Sequence, residues 1–320
     1  MLVSAILQAQ TVSYPSSFTV AQDGSGQFTT IGQAINAVRD LSQQQVTIFI
    51  KKGVYHEKLV IPSWKTNISL VGEDAAQTII TNNDYTGKPQ PASANVLTKD
   101  TFRTFTSYTI LIQGQDCMLK NLTIENTAGR VGQGVALHIE GDRCSVINCR
   151  LLGNQDTLYA ATDGSRQYYK DCYIEGSTDF IFGEATAVFQ SCTIKSLVNS
   201  FITAASTRPG RHYGFVFFDC HLIADTAAKQ VYLGRPWRPY AKTVYIRTQM
   251  GAHIIPAGWD NWRNPANEKT AFFAEYQSSG PGAIPGARVK WSKQLTAAEI
   301  KDYTLAAIFA GNGSWNPINN

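Results

Sequence analysis

Long apolar runs are missing from this chain of 320 residues. None approaches the roughly 20 residues that a membrane-crossing helix needs, so no membrane partner is expected. Charge is scarce as well. Charged residues make up 16% of the chain, the net charge is +4, and no run of lysine and arginine occurs, which argues against a nucleic-acid-binding stripe and a nucleic-acid partner. The mildly basic balance suits an acidic polymer, and it suits many ordinary globular proteins equally. Only five histidines and no Gly-x-Ser-x-Gly elbow are present, which disfavours a serine esterase. No clustered acidic loop suggests a calcium site.

At 43% hydrophobic the chain can bury a large core, and composition alone leaves one or two domains open. The start, Met1 to Gln10, is apolar but has no basic leader. It is too short for a complete signal peptide. Residues 1–17 therefore read as a tail or signal remnant, and 18–320 as a single domain. Glycosylation triplets begin at Asn67, Asn121 and Asn312, with Asn121 inside an expected strand.

Sustained helical periodicity is also missing between Val46 and Arg247. In its place stand short β-branched and aromatic runs broken by Gly, Asn and Asp: Val46 to Ile50, Ile68 to Val71, Thr109 to Ile112, Leu119 to Glu125, Val135 to Ile139 and Ser145 to Leu151. The series continues through Gln167 to Ile174, Ala187 to Ile194, Gly214 to Ile223 and Thr243 to Ile246. This predicts an all-β body. Cys149, Cys172, Cys192 and Cys220 each open a similar run, at intervals of 23, 20 and 28 residues. That is the length of one solenoid coil, so a parallel β-helix is favoured over a sandwich. The cysteines are explained as stacked inward-facing small hydrophobes, while disulfides between adjacent coils stay open.

Open solenoid ends need covers. Thr30 followed by Ile31, Ala34, Ile35 and Val38 predicts a short amphipathic helix over the first coil. Thr296-Ala297-Ala298-Glu299 has the form of a capping box, predicting a helix near the other end that includes Ile300, Tyr303 and Leu305.

One phrase recurs with chemical content. Asn148-Cys149 leads into Gln155-Asp156-Thr157-Leu158-Tyr159, and Asp171-Cys172 leads into Ser177-Thr178-Asp179-Phe180-Ile181-Phe182, so each aspartate follows a cysteine by seven residues. On successive coils the two carboxyl groups would stack roughly 4.8 Å apart. Like charges that close resist joint ionisation, which leaves one acid and one base. Aspartates that satisfy loop amides are the alternative reading. Arg235, between glycine and proline and beside Trp237, can present a bidentate fork to a carboxylate, or it can make a surface ion pair. Gln133 and Gln155 supply neutral amides that suit a developing oxyanion, or a structural glutamine ladder.

Five segments together carry a resemblance: Gly53-Val54-Tyr55-His56-Glu57, Gln133-Gly134-Val135-Ala136-Leu137, Gln155 to Tyr159, Asp179-Phe180-Ile181-Phe182-Gly183 and Leu233-Gly234-Arg235-Pro236-Trp237. In content and order they resemble the signature segments of the pectin methylesterases, over about Phe18 to Trp291. The resemblance implies a right-handed, single-stranded parallel β-helix with short capping helices, secreted and monomeric. It would remove methyl esters from homogalacturonan, with no metal and no cofactor. It further implies Asp179 as nucleophile, Asp156 as acid and base, Arg235 holding Asp179, and Gln133 and Gln155 at the oxyanion. Tyr159, Phe182, Trp237 and Trp259 match the aromatic sugar-binding cleft, with Phe105 a further member. Gly134 stands where the family usually has alanine, and His138 where it commonly has a basic or polar residue.

Two rival functions fit parts of the pattern. A β-helical glycosidase would also use two carboxyls, about 5–5.5 Å apart for a retaining enzyme, although Arg235 and two oxyanion amides favour acyl transfer. A catalytically inactive pectin-binding solenoid would keep the cleft without needing the intact Asp156, Asp179 and Arg235 set.

Overall fold

The computed structural model describes residues 14–91, 100–311, 313 and 315–318; the apolar start at Met1 to Gln10 and the triplet at Asn312 lie outside them. Its described strands pair in parallel in three sheets of eleven, seven and eight strands, wound as a parallel β-helix. The all-β expectation holds. Several runs expected as one strand are two. Ser145 to Leu151 divides into Cys144–Ile147 and Arg150–Leu152, and Gln167 to Ile174 into Arg166–Lys170 and Tyr173–Gly176.

The corner between each such pair is one residue in the left-handed region. Asn121, Asn148, Asp171, Ser191 and Asp219 have φ between 50° and 55°, a conformation that Asn and Asp tolerate because their short polar side chains bond locally. Asn121 is thus a corner residue and not a strand interior, and its side chain accepts a hydrogen bond from Asn148 Nδ2 at 2.8 Å.

After each of the last four corners a cysteine turns inward. The register Arg150↔Tyr173↔Thr193↔His221 stacks Cys149, Cys172, Cys192 and Cys220 in one buried column. All six cysteines are free thiols. Cys172 donates to Val146 O at 3.3 Å, and Cys220 to Phe189 O at 3.4 Å. Weak donors reaching the preceding coil explain the recurrence without any disulfide.

The lid over the first coil forms as expected, as an α-helix at Ile31–Ala37 with Thr30 accepting from Gln33 N. Glu57 adds a cap, its carboxylate accepting from Ile31 N and Gly32 N at 2.9 Å each. The other expected helix is corrected. The Thr296 to Glu299 box is made, with Glu299 N donating to Thr296 Oγ1 at 3.3 Å. It opens only a 3₁₀ turn at Glu299–Asp302, and Thr304 then caps a separate helix at Leu305–Ile308. Neither closes the coil end. Phe309 and Trp315 instead pack with Tyr168, Val188, Val216 and Val244 on the flank of the eleven-stranded sheet.

Inside the coil, Tyr169, Phe189, Phe217 and Tyr245 stack with centroids 4.4–4.6 Å apart. Each such pair contributes about 0.5–1.5 kcal/mol beyond its buried area.

Candidate active site

The strands of the seven-stranded face are too short to stand out in the sequence: Leu158–Ala160 and Ile181–Gly183 have three residues each. Their register, Leu158↔Ile181 and Tyr159↔Phe182, puts Asp156 and Asp179 at equivalent positions on adjacent coils. The stacking expected from the repeat is therefore present. Both aspartates are left-handed, with φ of 67° and 50°. Asp156 N donates to Thr178 O at 3.1 Å, and Asp179 N to Phe201 O at 2.9 Å. The ladder thus pins the backbone at both positions.

Arg235 enters from Tyr232–Pro236 and reaches back to Asp179 with a fork, Nε to Oδ1 at 2.9 Å and Nη2 to Oδ2 at 2.6 Å. Its guanidinium carbon lies 3.9 Å from the ring centre of Phe201 and 3.8 Å from that of Trp262. An arginine held by two rings and a bidentate carboxylate is not a loose surface pair.

Burial lifts both aspartates above the ordinary carboxylate range, Asp156 by far the more. At Asp179 the hydrogen bonds and charge of Arg235 pull against burial. At Asp156 burial is joined by the negative charge of Asp179, and its carboxyl accepts no hydrogen bond from the described residues. Asp179 therefore holds the charge and Asp156 the proton.

That arrangement costs stability. With its folded value raised, Asp156 keeps a proton that the unfolded chain releases above about pH 4. The stability contributed by that proton is present at low pH and lost as pH rises through the folded value. Asp156→Asn, neutral and nearly isosteric, is expected to raise the melting temperature at neutral pH by about a degree or two, read by a thermal melt, and to lose that gain below about pH 4.

Gln133, Gln155, Asp156, Asp179 and Arg235 line one cleft of about 240 Å³, with Thr104, Phe105, Phe182, Ala204, Trp237 and Trp262. Thr86 N donates to Gln133 O at 2.9 Å, and Gly134 N to Gln155 O at 3.1 Å, which fixes both glutamine backbones. Among the described residues their side-chain amides make no hydrogen bond. Gly134 faces Asn126: a Cβ there would lie 2.8 Å from Asn126 Oδ1. Asn126 in turn donates to Val135 O at 3.2 Å, two residues after Gln133.

Phe105, Tyr159, Phe182 and Trp237 form a continuous aromatic surface, with successive centroids 5.2, 4.5 and 5.8 Å apart. Trp259 is corrected. It is only 1% exposed and packs against Tyr245 and Phe273 in the coil interior. Its bridge to Gly234 gives that position strand-like alternation, which turns the indole inward. Trp262 takes the cleft position instead. Asp260 Oδ1 accepts from Trp262 N at 2.7 Å, an Asx turn that leaves Trp262 at φ 59°. The turn-forming Asp260-Asn261 pair before it was the available signal.

The family model for Pectinesterase matches residues 17–312. Pectinesterase 31 of Arabidopsis thaliana is 38% identical, over 86% of this chain and 86% of the relative. Of the next curated relatives the chain spans about half the length, 48% and 49%. Among solved structures, a pectin methylesterase from carrot superposes with a TM-score of 0.83 at 33% identity, covering 94% of each chain. A pectin methylesterase crystallised with a hexasaccharide gives 0.80 at 29% identity, covering 96% of this chain and 99% of the other.

Proposed function

Because the chain belongs to the pectinesterase family, which hydrolyses carboxylic esters, we propose that it removes methyl groups from galacturonate units of pectin by acyl transfer to Asp179. The observation that carries this reading is the Arg235 fork on Asp179 beside an aspartate with no fork of its own. In the first step an Asp179 oxygen attacks the C6 ester carbonyl. Negative charge moves to the carbonyl oxygen, where the amides of Gln133 and Gln155 receive it. The C6–O bond to methoxide then breaks, and Asp156 gives its proton to the departing methanol.

In the second step Asp156, now a carboxylate, takes a proton from water. The hydroxyl adds to the acyl carbon, Asp179 leaves as carboxylate, and Asp156 is again protonated. At the two ends of the aromatic surface, Phe105 and Trp237 are the more exposed rings and offer apolar area to pyranose rings. All the named residues come from one chain, so a monomer suffices. A polymeric substrate supports a secreted enzyme that acts outside the cell.

Incubation with highly methylated pectin is expected to release methanol without new reducing ends. New reducing ends in step with turnover would instead show a glycosidase. Retained pectin binding with no methanol would show a recognition solenoid.

A further inference from the structure

Glu184 follows the catalytic segment at a forced turn. Gly183 has φ 128°, and a Cβ on it would collide with the Ala160 carbonyl, so the position admits only glycine. That turn carries the Glu184 carboxylate to the edge of Tyr159, whose hydroxyl donates to Glu184 Oε2 at 3.5 Å. Ser206 Oγ also donates to Oε2 at 3.5 Å. Both contacts sit at the long limit of hydrogen bonding. Among the described residues no cation lies within ion-pair distance of Glu184.

Glu140, on the same flank of the sheet, behaves differently. Gln113 Nε2 donates to it at 2.9 Å, and His138 Nε2 lies 3.3 Å away. Glu140 is satisfied within the protein, whereas Glu184 is a half-buried carboxylate that the protein barely satisfies. It adjoins the Tyr159–Phe182 stack, whose rings lie face to face 4.5 Å apart and 6° from parallel. The Tyr159 phenol, raised by burial and then by the charges of Glu184 and Glu140, stays protonated and faces that carboxylate as a donor.

Resting on the pectinesterase reading, we propose that Glu184 is a specificity residue that rejects free galacturonate carboxylate from the sugar position over Tyr159 and Phe182 and admits the neutral methyl ester. The substrate polymer mixes neutral esters with carboxylates, and a fixed negative charge at one subsite discriminates by repulsion. Glu184 touches the neighbouring sugar and not the reacting atoms.

The test compares kcat/KM on pectins of matched length with high and low methyl esterification, for the unaltered enzyme, Glu184→Gln and Glu184→Asp. Glutamine keeps the acceptor for Tyr159 and Ser206 and removes only the charge. Glu184→Gln is expected to raise kcat/KM on low-methyl pectin by about fivefold at low salt, to leave high-methyl pectin within about twofold, and to lose its advantage in high salt. Glu184→Asp is expected to keep the original preference. An unchanged ratio between the two pectins, or an equal change on both, would overturn the assignment while leaving the esterase reading intact. No methanol from the unaltered enzyme on either pectin would overturn both.

Discussion

Asp179→Asn is expected to lower kcat for methanol release by about four orders of magnitude or more. Asparagine keeps the shape of the side chain and accepts the left-handed φ of 50° at this position, so the coil is not disturbed. What is lost is the nucleophilic oxygen pair. The amide also turns an N–H₂ toward one arm of the Arg235 fork, which now spans Nε to Oδ1 and Nη2 to Oδ2, and leaves that arm without an acceptor. Methanol assay beside a thermal melt checks both halves. A folded variant that keeps more than about a hundredth of the activity would remove Asp179 from the nucleophile role.

Arg235→Lys is expected to lower kcat by about 10²–10³-fold and to move the acid limb of the pH profile upward. A lysine keeps a positive charge but not the planar fork, nor the contact with Phe201 and Trp262. The sign follows from the forces at Asp179. Burial pushes its value up, and the Arg235 bonds and charge pull it down. Weakening the pull raises the value, so Asp179 is protonated and inactive to a higher pH. The alkaline limb, which reports loss of the Asp156 proton, is expected to move less, because Arg235 is the smallest influence there, after burial and Asp179. A loss of rate with no movement of the acid limb would mean that Arg235 acts on the substrate and not on Asp179.

How far the sequence reaches is clearest at Cys149 and Cys172. A repeated small residue at coil spacing gave both the solenoid and the relative height of Asp156 and Asp179, because inward-facing residues stack coil upon coil. Corner geometry was less legible: Asn148 and Asp171 interrupt their runs with a single residue, which does not break a β-branched pattern. The Arg235 register could not be counted from the sequence, since the long coil between Phe201 and Tyr232 carries an insertion that only the pairing of Ala204 with Arg235 resolves.

Side-chain direction in the loops was the other gap. Trp259 and Trp262 are three residues apart in one Gly- and Asp-containing stretch, and a bridge to Gly234 together with an Asx turn decides which of them faces the core. Near the end of the chain, Thr296 and Glu299 made the expected local bonds. A local capping signal sets a helical start, but it fixes neither the length of the helix nor the surface that receives it.

The covalent step at Asp179 is tested most directly by turnover of methylated oligogalacturonate in the presence of hydroxylamine. With an acyl-enzyme on the path, product divides between free acid and hydroxamate as hydroxylamine rises, and where breakdown of that intermediate is not limiting the methanol rate stays constant. Asp179→Asn gives neither product. Hydroxamate that forms equally with Asp179→Asn would contradict a covalent intermediate on Asp179.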